Sequence, residues 1–324
     1  MPELSLYADA RGIIRARAIV DPGHRSALRH HVRRGNLVRL ARGAYLGAAS
    51  WRSLDADERY RALIHAAATG LLAEDELLCG PSALALWRLP TLGPWPSSVH
   101  AVRPHRSSGR RAGIFVRHVT RRDDAGAEID GLRVTGLART VADASASGML
   151  GAGLMAADAA LRGSRAPHWV RSPIDQGHLI GEAEKVAVRH GRSRALTVAQ
   201  LADARAESPG ESLLRASLHL LGLPQPELQW EFRGDSGRQY FVDCYWPDQD
   251  FVLEFDGKAK YLDPALRGGR TAEEVLVAEK EREDEIRAQV RGMTRAGWSV
   301  ALAPTRLEAR LRSAGFRFPA KPRG

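Results

Sequence analysis

The stretch that most constrains the fold is QYFVDCYWPDQDFVLEFDGKAKY, which spans residues 239–261. Two runs rich in aromatic and β-branched residues flank the tetrapeptide PDQD, a pattern that predicts two strands joined by a tight turn. The predicted strands carry the carboxylates of Asp243, Glu254 and Asp256. Because a strand buried in a core does not tolerate unpaired carboxylates, these groups either reach solvent at a sheet edge or enclose a cationic partner.

The register of this hairpin follows from its turn. A four-residue loop over 247–250 pairs Trp246 with Phe251, and counting back from that pair places Asp243 directly opposite Glu254. Opposed like charges cost up to about 1 kcal/mol on a solvated sheet, and the cost rises when the charges are partly buried. A divalent cation between the two carboxylates reverses the sign of the interaction, and their hard oxygen atoms suit Mg²⁺.

The helix predicted before the hairpin also places an acid on its apolar side. Glu211 falls on the same helical face as Leu214, Leu218 and Leu221, so its carboxylate is expected to point with the leucines. The tetrapeptide SPGE at 208–211 is equally typical of a capping box with proline at the first helical position. A purely structural role for Glu211 at the helix start is therefore an open alternative.

A long polar helix is predicted from about Ala272 to Met293, followed by a strand over GWSVALA at 297–303. The stripe predicted to be buried on this helix holds Val275, Ile286, Val290 and Met293. Glu279 and Arg282 fall on the same stripe, whereas most of the segment EKEREDEIR is interpreted as a solvated face with ion pairs between successive turns. Arg282 and Lys280 are the cations best placed to reach the acidic site.

Four segments carry a resemblance to a known family. ESPGESLLR, FVDCYW, LEFDGKAKY and EKEREDEIR occur in this order between about residues 207 and 303. Together they resemble the PD-(D/E)XK nuclease superfamily, in particular the branch related to very-short-patch-repair endonucleases. The resemblance implies a restriction-endonuclease-like αβββαβ core and hydrolysis of phosphodiester bonds with Mg²⁺ or Mn²⁺. It also implies that Glu211, Asp243 and Glu254 hold the metal.

The chain departs from the family pattern at one position. The lysine that the family places two residues after the second hairpin acid is Asp256 here. Lys258 or Lys280 is then the candidate cation, and Asp256 is a candidate further ligand. The candidate catalytic residues are Glu211, Asp243, Glu254, Asp256, Lys258 and Lys280.

The charge of the chain is unevenly distributed. The formal net charge is +10, and the excess of arginine lies in the first 200 residues, whereas the remainder is close to neutral. This asymmetry indicates an anionic partner for the N-terminal part, most often nucleic acid. The alternative is a solvated basic surface on an arginine-rich chain.

The same composition makes several other classes unexpected. No run approaches the roughly 18 apolar residues of a membrane span, so no membrane partner is expected. Cys79 and Cys244 lie far apart and form neither a disulfide framework nor a zinc pattern with histidine. We therefore expect a cytoplasmic protein without zinc.

The first 50 residues predict a winged helix-turn-helix. GIIRARAIV is typical of a short helix, DPGHRS of a turn, and RSALRHHVRRG of a second helix with Leu28 and Val32 on its buried side and Gly35 at its end. NLVRLARGAYLG alternates and predicts a β-hairpin, the wing. A helix of this kind fits the major groove of double-stranded DNA. The candidate DNA-binding residues are Arg25, Arg29, Arg33 and Arg34 on the second helix, and Arg39 and Arg42 on the wing.

A second resemblance covers about residues 11–145. The segments LRHHVRRGNLVRLARGAYLG, GPSALALWRLP and GLRVTGLARTVADASA resemble the winged helix and following domain of AbiEi-type antitoxins of type IV toxin–antitoxin systems. The resemblance implies DNA binding, repression of the protein's own operon and a partner from a toxin operon. The chain departs from the family in its short first helix. Alternatively, the middle segments are packing helices only.

These observations predict an α/β (α+β) multidomain chain. The predicted parts are a winged helix-turn-helix at 1–50, an AbiEi-like α/β domain at 51–150, a helical linker at 151–205 and a nuclease-like domain at 206–324. The predicted function is DNA binding with Mg²⁺-dependent endonuclease activity. A non-catalytic regulator or antitoxin is the first alternative, and an interaction protein without nucleic acid is the second.

Overall fold

The computed structural model describes residues 2–70, 72–104, 110–120, 124–163, 174–235, 237–257 and 271–319. The chain forms two compact units. Unit 1 is Met1–Ala144 with Gly181–Arg192, and unit 2 is Ser145–Ile180 with Ser193–Gly324. Both units mix helices and strands, in agreement with the predicted class, whereas the finer boundaries at 50, 150 and 205 stay predictions.

The helices and strands of the described residues are as follows. The α-helices are α1 (Pro2–Ser5), α2 (Pro22–Arg33), α3 (Ala48–Ser53), α4 (Ala56–Ala68), α5 (Gly80–Leu86), α6 (Leu137–Ser147), α7 (Leu150–Arg162), α8 (Gln176–Glu184), α9 (Arg189–Leu201), α10 (Pro209–Leu220), α11 (Ala272–Arg287), α12 (Trp298–Ala301) and α13 (Pro304–Ser313). The strands are β1 (Ile14–Arg15), β2 (Leu37–Ala41), β3 (Ala44–Gly47), β4 (Leu77–Leu78), β5 (Val99–Pro104), β6 (Arg110–Ala112), β7 (Phe115–Thr120), β8 (Ala127–Ile129), β9 (Leu132–Val134), β10 (Glu227–Arg233), β11 (Gln239–Trp246), β12 (Phe251–Phe255) and β13 (Gly292–Ala296).

The second helix and the β-hairpin predicted for unit 1 are present, whereas their arrangement as a winged helix-turn-helix stays a prediction. Helix α2 begins at Pro22 because Asp21 caps it, its carboxylate accepting the N–H of His24 at 2.8 Å. It ends at Arg33, shortly before Gly35 turns the chain with a φ of +71°. Strands β2 and β3 form the antiparallel hairpin, with Leu28 of α2 buried beneath it among residues of β1 and β2.

Two local predictions for this region are wrong. The segment GIIRARAIV is not a helix: Ile14 pairs with Tyr45 of β3, and only Ala16–Ala18 forms a 3₁₀ helix. The three isoleucines are β-branched and buried, and Ile14 reaches the core from strand β1, which outweighs the helical spacing of the segment. The predicted turn DPGHRS is wrong because α2 already starts within it.

The rest of unit 1 is built on a six-stranded mixed sheet with the order β6-β7-β5-β4-β9-β8. Strands β5, β7 and β9 confirm the three strands predicted over SVHAVRP, GIFVRHV and GLRVTG. The pairs β5–β7 and β4–β9 are parallel, and the other pairs are antiparallel.

Over its described residues, the core of unit 2 has the element order helix, three strands, helix, strand. Strands β10, β11 and β12 are antiparallel neighbours, and β13 lies parallel to β12 after the crossover through α11. This order is that of the predicted αβββαβ core. Leucines of α10, including the fully buried Leu214 and Leu218, pack on Leu253 of β12 and on Trp246 of β11.

The C-terminal end of this core differs from prediction in two places. Helix α11 ends at Arg287, so Val290 and Met293 do not extend its buried stripe. The backbone N–H of Arg291 donates to the carbonyl of Asp250, which draws the chain into the sheet. The strand predicted over GWSVALA is a short helix, α12, and the strand is instead Gly292–Ala296.

Within the described residues, no helix combines the length and the apolar character that crossing a bilayer requires.

Candidate functional site

The hairpin of unit 2 has the predicted register. Trp246 pairs with Phe251 and Cys244 pairs with Leu253 across the four-residue turn. Asp243, the residue before Cys244, accepts the backbone N–H of Phe255 on its Oδ2 at 2.7 Å. The Asp243 carboxylate is thereby held against the end of β12.

A cavity of about 230 Å³ opens beside this end of the hairpin. The residues that line it are Glu207, Gln229, Phe241, Asp243, Glu254, Phe255, Asp256, Gly257, Glu279, Arg282 and Arg295. We call this cavity the acidic pocket. It brings together three predicted site residues, Asp243, Glu254 and Asp256.

Glu254 is the most deeply placed acid of the pocket, with 6% of its surface exposed. Two guanidinium groups bind it. Arg282 donates to both carboxylate oxygens, one of them through Nη1 at 3.2 Å, and Nη2 of Arg295 lies 3.1 Å from Oε2. These arginines supply the cationic partner that the sequence demands for a buried carboxylate. Arg282 also donates to the carbonyl of Phe241 at 2.7 Å, which fixes its position.

Glu279 extends this network from helix α11. Its Oε1 accepts from Nη1 of Arg282 at 3.2 Å and also pairs with Arg295. Burial acts to lower the pKa of Arg295, but the carboxylates of Glu254, Glu279 and Glu283 outweigh burial and raise it. Burial also acts to lower the pKa of Arg282, but the hydrogen bond and the charge of Glu254, together with the charge of Glu279, outweigh burial and raise it. Both guanidinium groups therefore stay charged.

Arg295 and Gln229 are pocket residues that the sequence analysis missed. Arg295 lies beside Glu254 because β13 runs parallel to β12, with these two residues in register. Nothing in the sequence around 295 signals this pairing. Gln229 adopts the left-handed backbone conformation with a φ of +51°, which is uncommon outside glycine and often marks functional sites.

Glu211 does not line the acidic pocket. The residue is 7% exposed, and its carboxylate accepts the backbone N–H of Glu207 at 2.8 Å and the side-chain amide of Gln229 at 3.3 Å. Ser208 accepts the N–H of Glu211, so one half of the predicted capping box is present. Glu211 thus holds two residues, Glu207 and Gln229, that do line the pocket.

The two predicted lysines lie elsewhere. Lys280 is exposed on α11 and is not among the lining residues. Lys258 lies outside the described residues.

The carboxylate oxygens of the pocket are chemically suited to Mg²⁺ or Mn²⁺. Their arrangement is not, because arginines bind both oxygens of Glu254 and because Glu211 faces backbone and amide donors. Among the described residues, no three Asp, Glu, His or Cys side chains are grouped as metal ligands. The set Glu211, Asp243 and Glu254 therefore does not fit a divalent cation in this arrangement.

The six predicted DNA-binding arginines of unit 1 are all exposed. Arg25 is tied back by its Nε, which donates to the carbonyl of Ile19 at 2.7 Å, and Arg39 donates weakly to the carbonyl of Ala41 at 3.4 Å. Arg29 and Arg33 follow one another by four residues on the exposed side of α2, so both can face the same ligand.

No family model matches the chain. Two curated proteins of Mycobacterium tuberculosis are similar to part of it: uncharacterized protein MT2308 of strain CDC 1551 / Oshkosh and uncharacterized protein Rv2248 of strain ATCC 25618 / H37Rv. Each is 36% identical over 111 residues, which are 33% of this chain and 37% of the relative. The chain thus spans little more than a third of the length of the curated relatives that it matches. Among solved structures, the crystal structure of RV2827C protein from Mycobacterium tuberculosis matches 64% of this chain and 72% of its own at 15% identity, with a TM-score of 0.34.

Proposed function

We propose that the protein binds double-stranded DNA through unit 1. The observation that carries this proposal is the outward face of α2, where Arg29 and Arg33 are exposed while Leu28 on the opposite side is buried. The wing beside it exposes Arg42 at its turn. A helix with outward arginines and an adjoining basic hairpin can dock on the phosphates of a duplex.

The test is the salt dependence of duplex binding. About six phosphate contacts give a log–log slope near −5. We expect Arg29→Ala combined with Arg33→Ala to weaken binding and to make the slope shallower by about 2. Arg306→Ala, which removes an exposed arginine of α13 in unit 2, is the matched control and should change neither quantity. An unchanged slope in the double variant would show that α2 does not face the duplex.

A second candidate function is Mg²⁺-dependent DNA cleavage by unit 2, which the sequence resemblance suggests but which requires the acidic pocket to rearrange. Asp243, Glu254 and Asp256 line one cavity in a core of αβββαβ order. Metal binding by Glu254 would require Arg282 and Arg295 to release its oxygens. The same ion pairs count against cleavage, so the alternative predicted from the sequence, a non-catalytic regulator or antitoxin, stays open.

Plasmid nicking distinguishes the two candidates. If unit 2 is an endonuclease, the wild type nicks supercoiled plasmid with Mg²⁺ or Mn²⁺, and Asp243→Ala and Glu254→Ala abolish the nicking. A wild type as inert as both variants at micromolar protein would reject cleavage and leave the regulator. A protein that neither nicks nor shifts duplex DNA at low salt would contradict both.

A further inference from the structure

A second arginine cluster lies in unit 1, where the turn of the wing meets the end of α4. It surrounds a small cavity of about 80 Å³, which we call the arginine notch. The lining residues are Arg15, Arg17, Arg42, Gly43, Ala66, Thr69 and Gly70. Three of these lining residues are arginines and none is acidic, and the carboxylate of Asp9, 4.0 Å from Nη2 of Arg15, offsets one of the three charges. The notch therefore keeps a net positive charge.

One of the three arginines already has partners. The guanidinium of Arg15 donates to the carbonyls of His65 at 3.0 Å, Ala66 at 3.2 Å and Thr69 at 3.4 Å. These carbonyls belong to the C-terminal end of α4, whose negative dipole Arg15 therefore compensates. The helix end consequently offers little further attraction to Arg17 and Arg42.

The backbone around the notch positions Arg17. A Cβ atom at residue 70 would lie 2.3 Å from Nη1 of Arg17, so the guanidinium rests on backbone that only glycine leaves open. Gly70 also has a φ of +81°, which glycine adopts without strain. The N–H of Ala16 donates to the carbonyl of Gly43 at 2.8 Å and joins the segment that carries Arg17 to the turn that carries Arg42.

Arg17 and Arg42 are exposed and line the same small cavity, and two cations on one small surface favour the binding of an anion. Phosphate, like carboxylate, presents oxygens whose spacing matches the paired N–H donors of arginine, and phosphate is the anion that the backbone of a duplex offers. We propose that the arginine notch binds a backbone phosphate of duplex DNA through Arg17 and Arg42. The inference rests on the proposed DNA binding by unit 1. It adds Arg17, whose guanidinium packs against the backbone of Gly70, to the DNA-binding surface predicted from α2 and the wing.

The experiment measures the binding of a mixed-sequence duplex by fluorescence anisotropy over a series of salt concentrations. We expect Arg17→Ala to weaken binding by about 3- to 10-fold and to make the log–log salt slope shallower by about 1, equally for unrelated sequences. Gly70→Ala keeps every charge but displaces the Arg17 guanidinium, and it should weaken binding in the same direction. Arg306→Ala is the charge-matched control, and thermal denaturation checks that each variant is folded.

A separate arm distinguishes the source of the phosphate. The melting temperatures of the wild type and of Arg17→Ala are measured in inorganic phosphate and in chloride at equal ionic strength. We expect phosphate to raise the melting temperature of the wild type no more than that of the variant. A selective rise in the wild type, without any effect of Arg17→Ala on duplex affinity, would make the notch a free-phosphate site and overturn the proposal.

The measurements distinguish a wrong notch proposal from a wrong proposal of DNA binding. If Arg29→Ala with Arg33→Ala weakens duplex binding while Arg17→Ala matches Arg306→Ala, the notch proposal is wrong and DNA binding stands. If the wild type binds no duplex at low salt, both are wrong.

Discussion

The backbone of Gly210 lies directly against the ring of Phe255. A Cβ atom at residue 210 would be 2.1 Å from Cε1 of that ring, far inside the distance at which two carbon atoms can approach. Gly210 is in the first turn of α10, and Phe255 ends β12 and lines the acidic pocket. The start of α10 therefore sets the position of one wall of the pocket.

Gly210→Ala is expected to lower the stability of unit 2 and to move this wall. Displacing a packed ring costs about 1–3 kcal/mol, which urea denaturation measures as a lower midpoint. Gly181→Ala is the control for the glycine-to-alanine change in a helix, because residue 181 lies in α8, in the part of that helix that belongs to unit 1, and a Cβ there meets no atom within 4 Å. That change should be neutral or stabilising by about 0.5–1 kcal/mol. Equal midpoints for the two variants would contradict the close contact.

Breaking the ion pair between Asp158 and Arg215 is expected to cost more stability than Gly210→Ala does. Their side chains are 1% and 5% exposed, and Nη1 of Arg215 donates to Oδ2 of Asp158 at 2.7 Å. Asp158→Ala leaves a buried guanidinium without its counter-charge, so we expect the free energy of unfolding to fall by about 3–5 kcal/mol. Urea denaturation checks the value.

The control for Asp158→Ala is an exposed ion pair of the same unit. Glu308→Ala removes the partner of Arg312 on α13, where the pair is solvated at 2.8 Å. A loss below about 1 kcal/mol is expected there. If both variants lost the same amount, burial of Asp158 would not be the cause of its effect.

The hairpin of unit 2 shows what the sequence can determine. Its strands, its turn and its register were predicted because they depend on neighbouring residues, namely the alternating apolar runs around PDQD. The meeting of Glu254 with Arg295 depends instead on the parallel crossover through α11, which local patterning does not encode. The last strand was misplaced for a related reason. Gly292 lies against the ring of Phe251, to which a Cβ would be 2.6 Å away, and this contact between β13 and β12 is a tertiary one that the apolar pattern of GWSVALA does not reveal.

The stability of unit 1 should depend on pH through His65. This side chain is 5% exposed, and burial, together with the charge of Arg11, lowers the pKa of His65 from 6.5 to about 4, although Asp130 opposes the change. Between these values the unfolded chain binds a proton that the folded chain does not. Stability is therefore complete above about pH 6.5 and decreases as the pH falls towards about 4, by at most about 3 kcal/mol.

Urea midpoints at about pH 7 and about pH 5 test this dependence. The decrease between the two pH values should be smaller in His65→Gln, which cannot be protonated, than in the wild type. His190→Gln removes an exposed histidine and should leave the decrease unchanged. A decrease in His65→Gln as large as that of the wild type would assign the pH dependence to other groups.

The two arginines bound to Glu254 predict a competition with metal ions. Replacing Arg282 and Arg295 together by alanine leaves Glu254 and Glu279 without their cations, so unit 2 should lose about 3 kcal/mol or more. The released carboxylates can then accept Mn²⁺. A ligand present at about 100 times its Kd stabilises by about 2.7 kcal/mol, so Mn²⁺ should raise the urea midpoint of this variant more than that of the wild type.

A further variant identifies the oxygen atoms that bind Mn²⁺ when it stabilises the double arginine variant. Adding Asp243→Ala and Glu254→Ala to the double arginine variant removes the oxygens that would bind Mn²⁺, and the rescue should disappear. Mg²⁺ should act in the same direction as Mn²⁺, because both ions prefer carboxylate oxygens. If the wild type gained as much stability from Mn²⁺ as the arginine variant, the guanidinium groups would not compete with the metal. If neither responded, the carboxylates of the pocket would have no function as metal ligands, and the ion pairs of Glu254 would be structural.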